Sequence, residues 1–555
     1  MMKKRTTIIK TLYLLTFGIL SFGISYAQQD TLKKGKVVDI TSAFKPVIKE
    51  SAKINFNASP AVNDTTKPRL NYDIPNQNLL FAYQPGSLRP LALDIDTGGA
   101  WDVNSYIKAG FGSLKTPFVQ AGFSFGDGET AGVNIFAKHV SSEGKIDFQD
   151  YRNTKVDLKG FLKTTKKMEW NGRLGMNQER YYKYGYQPST LVFPKDTLLQ
   201  QFQTWSGGIG VHNTERTQFG ISYAPEILIN VFSDERNNSE SNTYLNVPMQ
   251  KTVGKMFAVN LAATFDLTKY KPDNKPTVDN TFYYLSPSLL VKTSKVNAQI
   301  GIRPSWDNKT FKLFPNVTGE FSTEDKRFIF QAGWSGYIRR TSYQSLVSTN
   351  PFIMQPTSLK NTWVEERYAG FKGSIGDHFT YNAKLGFHKY KNQPLFIQPG
   401  FGNDGKTFGV VYEPQMKAFN YSSELVYTEQ EKFSVMAGIN FYKYTGLKIY
   451  DKAYGLVPLE LRSAIRVQVM KDLWIKSDIF LWEGSQYMTK TVGSAQLKGS
   501  IDLNAGVEFR ITRNLNLWTQ FNNVLNKEYQ RWNQYRSYGF NFLGGIIFAF
   551  DQNAQ

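Results

Sequence analysis

The chain has 555 residues, a formal net charge of +20, a 41% hydrophobic and 15% aromatic composition, and no cysteine. That apolar content excludes a disordered chain, and the missing thiol excludes a disulfide framework, a thiolate metal site, a cysteine nucleophile and a lipid-modified cysteine. The four histidines, His139, His212, His378 and His388, fall in no metal-ligand spacing and no recognisable pairing with a nucleophilic serine. No enzyme activity, metal or cofactor is therefore expected.

At the N-terminus, Lys3, Lys4, Arg5 and Lys10 precede an apolar stretch from Thr11 to Ile24, and Ser25-Tyr26-Ala27 before Gln28 reads as a small-x-small cleavage site. The apolar stretch is shorter than the ~20 residues a spanning helix needs, so residues 1–27 are expected to be a cleaved signal peptide. Residues 28–100 hold six of the 22 prolines in 73 positions and no alternating strand set, which predicts an extended periplasmic leader. From 101 to 555, charged and polar residues interrupt every apolar stretch before a helical span is complete. The remaining structure that satisfies its own backbone in lipid is a closed barrel.

Periodicity supports the barrel. Tyr106 to Gly112 and Val119 to Gly126 are predicted strands joined at Lys115-Thr116-Pro117, and Ala131 to Val140 follows. Val296, Ala298, Ile300 and Ile302 alternate with Asn297, Gln299, Gly301 and Arg303, and Phe433, Val435, Ala437, Ile439 and Phe441 alternate with Ser434, Met436, Gly438, Asn440 and Tyr442. Leu473, Ile475, Ile479 and Leu481 oppose Trp474, Lys476, Asp478 and Phe480. Ile501, Leu503, Ala505, Val507, Phe509 and Ile511 oppose Asp502, Asn504, Gly506, Glu508 and Arg510. Charges opposite an apolar face would be costly in a soluble sandwich and are solvated in a wide barrel. Asp502, Glu508, Arg510, Lys476, Asp478 and Arg303 are accordingly the candidate lumen-wall residues. Between Val103 and Phe550 about 22 such segments can be marked, each near the ~9–11 residues a tilted span requires. Turn clusters at Gly126-Asp127-Gly128, Ser141 to Gly144, Asp234 to Asn238, Asp307-Asn308 and Asn403-Asp404-Gly405 separate them. The predicted fold is an all-β transmembrane antiparallel barrel without an N-terminal plug domain.

Tyr181-Tyr182, Tyr184, Tyr186, Tyr283-Tyr284, Tyr442, Tyr444 and Tyr450 sit near strand ends, where they serve either a lipid–water girdle or ordinary packing. Asp234, Glu235 and Glu240 lack the regular spacing of a calcium loop and read as a solvated hairpin. Gly545, Phe548 and Phe550 fit a Gly-x-x-aromatic-x-aromatic ending that resembles the outer-membrane assembly signal, with Leu543 where a polar residue is usual.

Leu515-Asn516-Leu517-Trp518, Phe521 through Tyr529 and Tyr538-Gly539-Phe540-Asn541-Phe542 resemble the last two strands of TonB-dependent outer-membrane receptors, which implies a 22-strand barrel. Ala43 to Ile48, Asp73-Ile74-Pro75 and Leu88-Arg89-Pro90 resemble the leader of plugless, receptor-like barrels of Bacteroidetes-type bacteria. Val37 to Thr41 is faintly similar to the box by which TonB engages a receptor, but a leader that docks on the barrel or a partner is the preferred reading.

The expected location is the outer membrane. Lysine and arginine leave +16 after the signal peptide's +4, a surplus suited to anionic solutes, lipopolysaccharide phosphates or loop decoration. Expected partners are outer-membrane lipid and lipopolysaccharide, the assembly machinery and other outer-membrane or periplasmic proteins, with no nucleic acid. Two functions remain open: transport through the barrel, or a non-transporting subunit of a larger complex for secretion, assembly or lipid handling.

Overall fold

The structure is a computed structural model that describes residues 104–551 apart from 326, 377, 399–403, 430–431 and 489–492. The signal peptide and leader fall outside the described residues. The strands of the main sheet pair antiparallel in sequence order, Ile221–Tyr223 excepted, and the first strand, Asn104–Gly112, pairs with both Thr116–Gly126 and the last strand, Asn541–Asp551. The sheet therefore closes on itself and has no edge to leave unpaired. Its 23 strands make 22 traverses, because Ile221–Tyr223 and Glu226–Asp234 are two pieces of one, both laid along Ser239–Val253. Between the pieces stands Pro225, which has no N–H to give to a ladder.

The two ends of the barrel differ. At the end holding Asn104 and Asp551, links are short, such as 127–130, 165–167, 254–256, 293–295 and 471–472. At the other end lie the long loops 183–198, 340–361, 392–415, 446–458, 483–499 and 523–540. These carry the helix Tyr343–Thr349 and three hairpins: Gln393–Ile397 with Gly409–Glu413, Gln486–Met488 with Ser494–Gln496, and Gln530–Trp532 with Tyr535–Arg536.

Side chains are distributed inside out. On Phe257–Lys271, Phe265 and Leu267 are exposed while Thr264, Asp266 and Thr268 are buried. On Val278–Lys292, Leu285 and Leu289 are exposed and Ser286 and Ser288 buried. The same holds for exposed Ile300 and Ile302, for exposed Ile475 beside buried Lys476, and for exposed Phe509 beside buried Glu508. In water each exposed side chain would forgo burial worth about 1.5–3 kcal/mol. Lipid removes that cost, and a strand of 11 residues at ~3.4 Å per residue and barrel tilt covers the hydrocarbon thickness.

One expectation is corrected. The first hairpin turns at 113–115, not at Lys115-Thr116-Pro117: Thr116 and Pro117 are already paired with Gly112 and Phe111. Leu114 and Lys115 hold positive φ of 57° and 48° without the Gly or Asn that normally marks such a turn. Of the tyrosines left open between girdle and packing, Tyr181, Tyr182 and Tyr442 are buried within the protein, while Tyr283 is exposed and stacks on Phe265 and Trp306. Asp307-Asn308 does mark a tight turn, with Asn308 and Lys309 both at positive φ and Asp307 facing Thr310.

The seam gives the terminal glycine a physical role. A Cβ on Gly545 would lie 1.9 Å from the Ala109 carbonyl oxygen and 2.5 Å from the Gly110 Cα. Phe548 and Phe550 are exposed on the outer side and meet edge to face, while Leu543 points the other way and is buried.

Candidate functional site: a loop-packed mouth above a polar wall

Loops between barrel strands are expected to be polar, but 523–540 is dense in aromatic rings, and its hairpin organises the whole mouth. Tyr535 is fully buried, stacks on Phe352 at 3.5 Å between centroids, meets the edge of Tyr184 at 4.9 Å, and donates its hydroxyl to the Lys406 carbonyl. Gly185 leaves it room, since a Cβ there would come within 2.6 Å of the Tyr535 ring. Trp532 packs against Phe396 and Phe408 at 5.1 and 5.4 Å. Arg531 donates to the Gly455 carbonyl at 2.9 Å and to Ser485 Oγ at 3.4 Å. Gln149 Nε2 donates to the Arg536 carbonyl, and Tyr538 donates to the Gln149 carbonyl. This one hairpin loop thereby reaches the loops 143–150, 183–198, 340–361, 392–415, 446–458 and 483–499. Its rings join one apolar cluster with inner-wall residues such as Phe118, Phe202, Phe232 and Tyr270, so the loops are packed on the barrel and on one another.

The helix Tyr343–Thr349 is held in this cap from its N-terminus. Ser342 caps it, accepting from Ser345 N, and the Glu240 carboxylate accepts from the backbone N–H groups of Tyr343 and Gln344, where an anion meets the positive end of the helix. Tyr343 Oη donates to Asp234 at 2.7 Å, and Asp234 also accepts from Arg236 N and Asn238 N. The solvated hairpin expected at Asp234, Glu235 and Glu240 is thus corrected: Asp234 and Glu240 anchor the cap helix, and Glu235 accepts from Gln200 Nε2 and Gln201 N on the neighbouring strand. Among the described residues no cluster of His, Asp and Glu is arranged to hold a metal. Burial pushes the Tyr343 and Tyr535 hydroxyls well above the usual tyrosine range. Lys183, 4% exposed, is brought down to about 8 by burial, reinforced by Arg236 and Lys406 and opposed by Glu235.

The six wall candidates separate by what they touch. Lys476 Nζ pairs with Glu508 Oε2 at 2.8 Å, both buried. Asp502 is buried and accepts from Tyr529 Oη at 2.9 Å, which ties the wall to the 523–540 loop. Arg303 donates to Ser286 Oγ and the Gly336 carbonyl and lies 5.2 Å over the Tyr284 ring. Asp478 is partly buried opposite Asn504 and Ala464. Arg510 shares the parity of Glu508 but ends exposed near the short-turn end, its guanidinium 4.8 Å from the Trp474 ring. The structure brings Lys476 and Glu508 together. Sequence reasoning missed the cap: the run Tyr529, Trp532, Tyr535, Tyr538, aromatic where a loop is due, was the available signal. Lys108 and Trp518, four strands and two strands from Lys476 across the seam, gave none.

No protein-family model and no curated protein matches the chain. Among solved structures, a point variant of the ferric enterobactin receptor of Pseudomonas aeruginosa superposes with a TM-score of 0.60 at 11% identity over 81% of each chain. The FrpB iron transporter of Neisseria meningitidis, F5-1 variant, gives 0.63 at 10% identity over 82% of this chain and 83% of that one. The siderophore receptor PirA of Acinetobacter baumannii gives 0.61 at 8% identity over 81% of both. The fold is that of the siderophore-receptor barrels. At these identities the likeness is one of fold, and it agrees with the 22-strand barrel that the resemblance to TonB-dependent receptors implied.

Proposed function

We propose that the chain is an outer-membrane barrel that carries a solute across by rearrangement of its loop cap, and is not a passive pore. The observation that carries this reading is the mouth itself, where one aromatic hairpin loop ties six other loops over a polar interior. The exposed apolar outer face supports a place in lipid. In that setting the end with Asn104 and Asp551 faces the periplasm and the long loops face outward. The neighbours in fold are named as receptors or transporters for iron and siderophores, so ferric siderophores are the first solutes to test, and the reading assigns no catalytic step.

The proposal extends to parts outside the described residues: a signal peptide at 1–27 and a periplasmic leader at 28–100, in a plugless arrangement. The basic surplus suits lipopolysaccharide phosphates, and Gly545, Phe548 and Phe550 suit recognition by the assembly machinery.

The packed cap also favours a second reading, in which the barrel is an embedded subunit of a larger outer-membrane complex and the cap is a permanent floor for partners. Solute uptake into vesicles containing the purified chain, together with single-channel recording with and without residues 28–100, separates the two. Solute-dependent uptake with no steady current supports gated transport. Large steady currents in the full chain would make it an open pore. Silence in every form, with no uptake, would leave the subunit reading.

A further inference from the structure

The inner wall beside the seam carries a small open recess, lined among others by Lys108, Lys476, Gly506, Glu508, Trp518 and Gln520. Its electrostatics are unbalanced. Glu508 is already committed, with Oε2 on Lys476 at 2.8 Å and Oε1 on Asn516 Nδ2 at 2.9 Å. Lys108, only 5% exposed, stands beside it with no hydrogen bond or ion pair from its ammonium among the described residues. It is held 4.2 Å from the Trp518 ring and 5.8 Å from that of Phe118, whose ring also has the Lys138 ammonium 5.9 Å away.

A ring face attracts a cation but cannot accept three N–H bonds in line. An ammonium largely removed from water and without an acceptor is costly, and Lys108 and Lys476 share the one carboxylate of Glu508 in the recess. Glycine at 506 keeps the recess from being filled by a side chain, and the Trp518 indole forms its wall. Trp518 is itself fixed by donating to the Ala109 and Ile546 carbonyls across the seam.

We infer that this recess is a small-oxyanion site, in which a phosphate, a sulfate or a carboxylate accepts from Lys108 Nζ against the indole of Trp518. The acceptor comes either from a free inorganic anion or from the carboxylate of a larger solute. The site belongs to the wall and stands whether or not the barrel transports, so its failure and that of the gated-transport reading are separate results.

Iodide, an anion that quenches indole on contact, tests it on the full chain in detergent at fixed ionic strength. The wild-type chain, with ten tryptophans, should show a saturable quenching component that disappears in Trp518→Phe. Lys108→Met should weaken iodide at that component by at least about tenfold, the loss expected when a charge-assisted contact is removed. Lys309→Met, a change of the same charge at an exposed turn, should leave it unaltered. Phosphate or acetate should displace iodide from it. Displacement by phosphate alone assigns the site to inorganic oxyanions and displacement by acetate alone to carboxylates. Quenching that stays linear in iodide, or is equal in wild type and Lys108→Met, overturns the site. If Lys108→Met does not fold, the competition on the wild-type chain decides, and displacement by neither anion overturns it.

Discussion

Removing the Tyr535 ring should open the cap. A buried aromatic of this size covers about 150–250 Å², worth roughly 4–6 kcal/mol at ~25 cal/mol per Å², and measured truncations of buried rings cost about 3–5 kcal/mol. Tyr535 is fully buried among Phe352, Tyr184 and Phe408, so about 4 kcal/mol is the expected loss for Tyr535→Ala. At a factor of ten per ~1.4 kcal/mol, the open fraction of the cap rises about a thousandfold. Tyr535→Phe keeps the stack and loses one hydrogen bond to Lys406, about 1 kcal/mol or roughly fivefold. Because the chain has no cysteine, Val347→Cys, in the same buried cluster, supplies a single thiol for a membrane-impermeant maleimide. When closing outruns labelling, the labelling rate follows the open fraction. The expected order is wild type, then Tyr535→Phe, then Tyr535→Ala, with unchanged circular dichroism from the strands. Equal labelling rates in all three would refute the idea that this ring latches the mouth.

Other outcomes follow from the same geometry. Lys183 titrates near 8 in the fold and near 10.5 unfolded. Below pH 8 both states carry the charge and the burial cost is felt in full. As pH rises from about 8 to 10.5 the folded state sheds its proton first, so stability should rise by an amount on the order of 3 kcal/mol. Urea unfolding of the cap, followed by Trp532 fluorescence, should show that rise in wild type and lose it in Lys183→Met. Ile300→Arg, on the exposed outer face, should cost about 2–4 kcal/mol in lipid if it lies near the midplane, whereas Gln299→Arg, one residue away on the other face, should cost markedly less; refolding titrations into vesicles compare them. Gly545→Val places atoms on the Ala109 carbonyl and should block closure of the seam, seen as a loss of folded yield; wild-type yield would discount the close approach.

The barrel was legible because the strand signal is local. Side chains on a strand alternate faces, so Ile475 against Lys476 and Phe509 against Glu508 announce two environments without any knowledge of neighbours. The ends were less legible. Leu114 and Lys115 turn at positive φ with no Gly or Asn, and the tyrosines at 181, 182 and 442 read equally well as girdle or packing until their neighbours are known. The mouth was hardly legible at all: Tyr535 meets Phe352 across 183 positions of chain and Arg531 meets Gly455 across 76. No periodicity encodes which loops will share a core.

The sequence by itself determined an all-β barrel of about 22 strands, and the faces its strands turn inward and outward, because period two and the contrast of apolar against polar are properties of each segment alone. Tertiary structure decided how that barrel is closed and capped. It closed the first strand on the last through Gly110 and Gly545, spent Asp234 and Glu240 on a cap helix, tied the loops into one aromatic cluster, and set Lys108 beside Glu508 and Trp518. Those are contacts between residues far apart in the chain, and their partners are chosen by packing and charge in three dimensions.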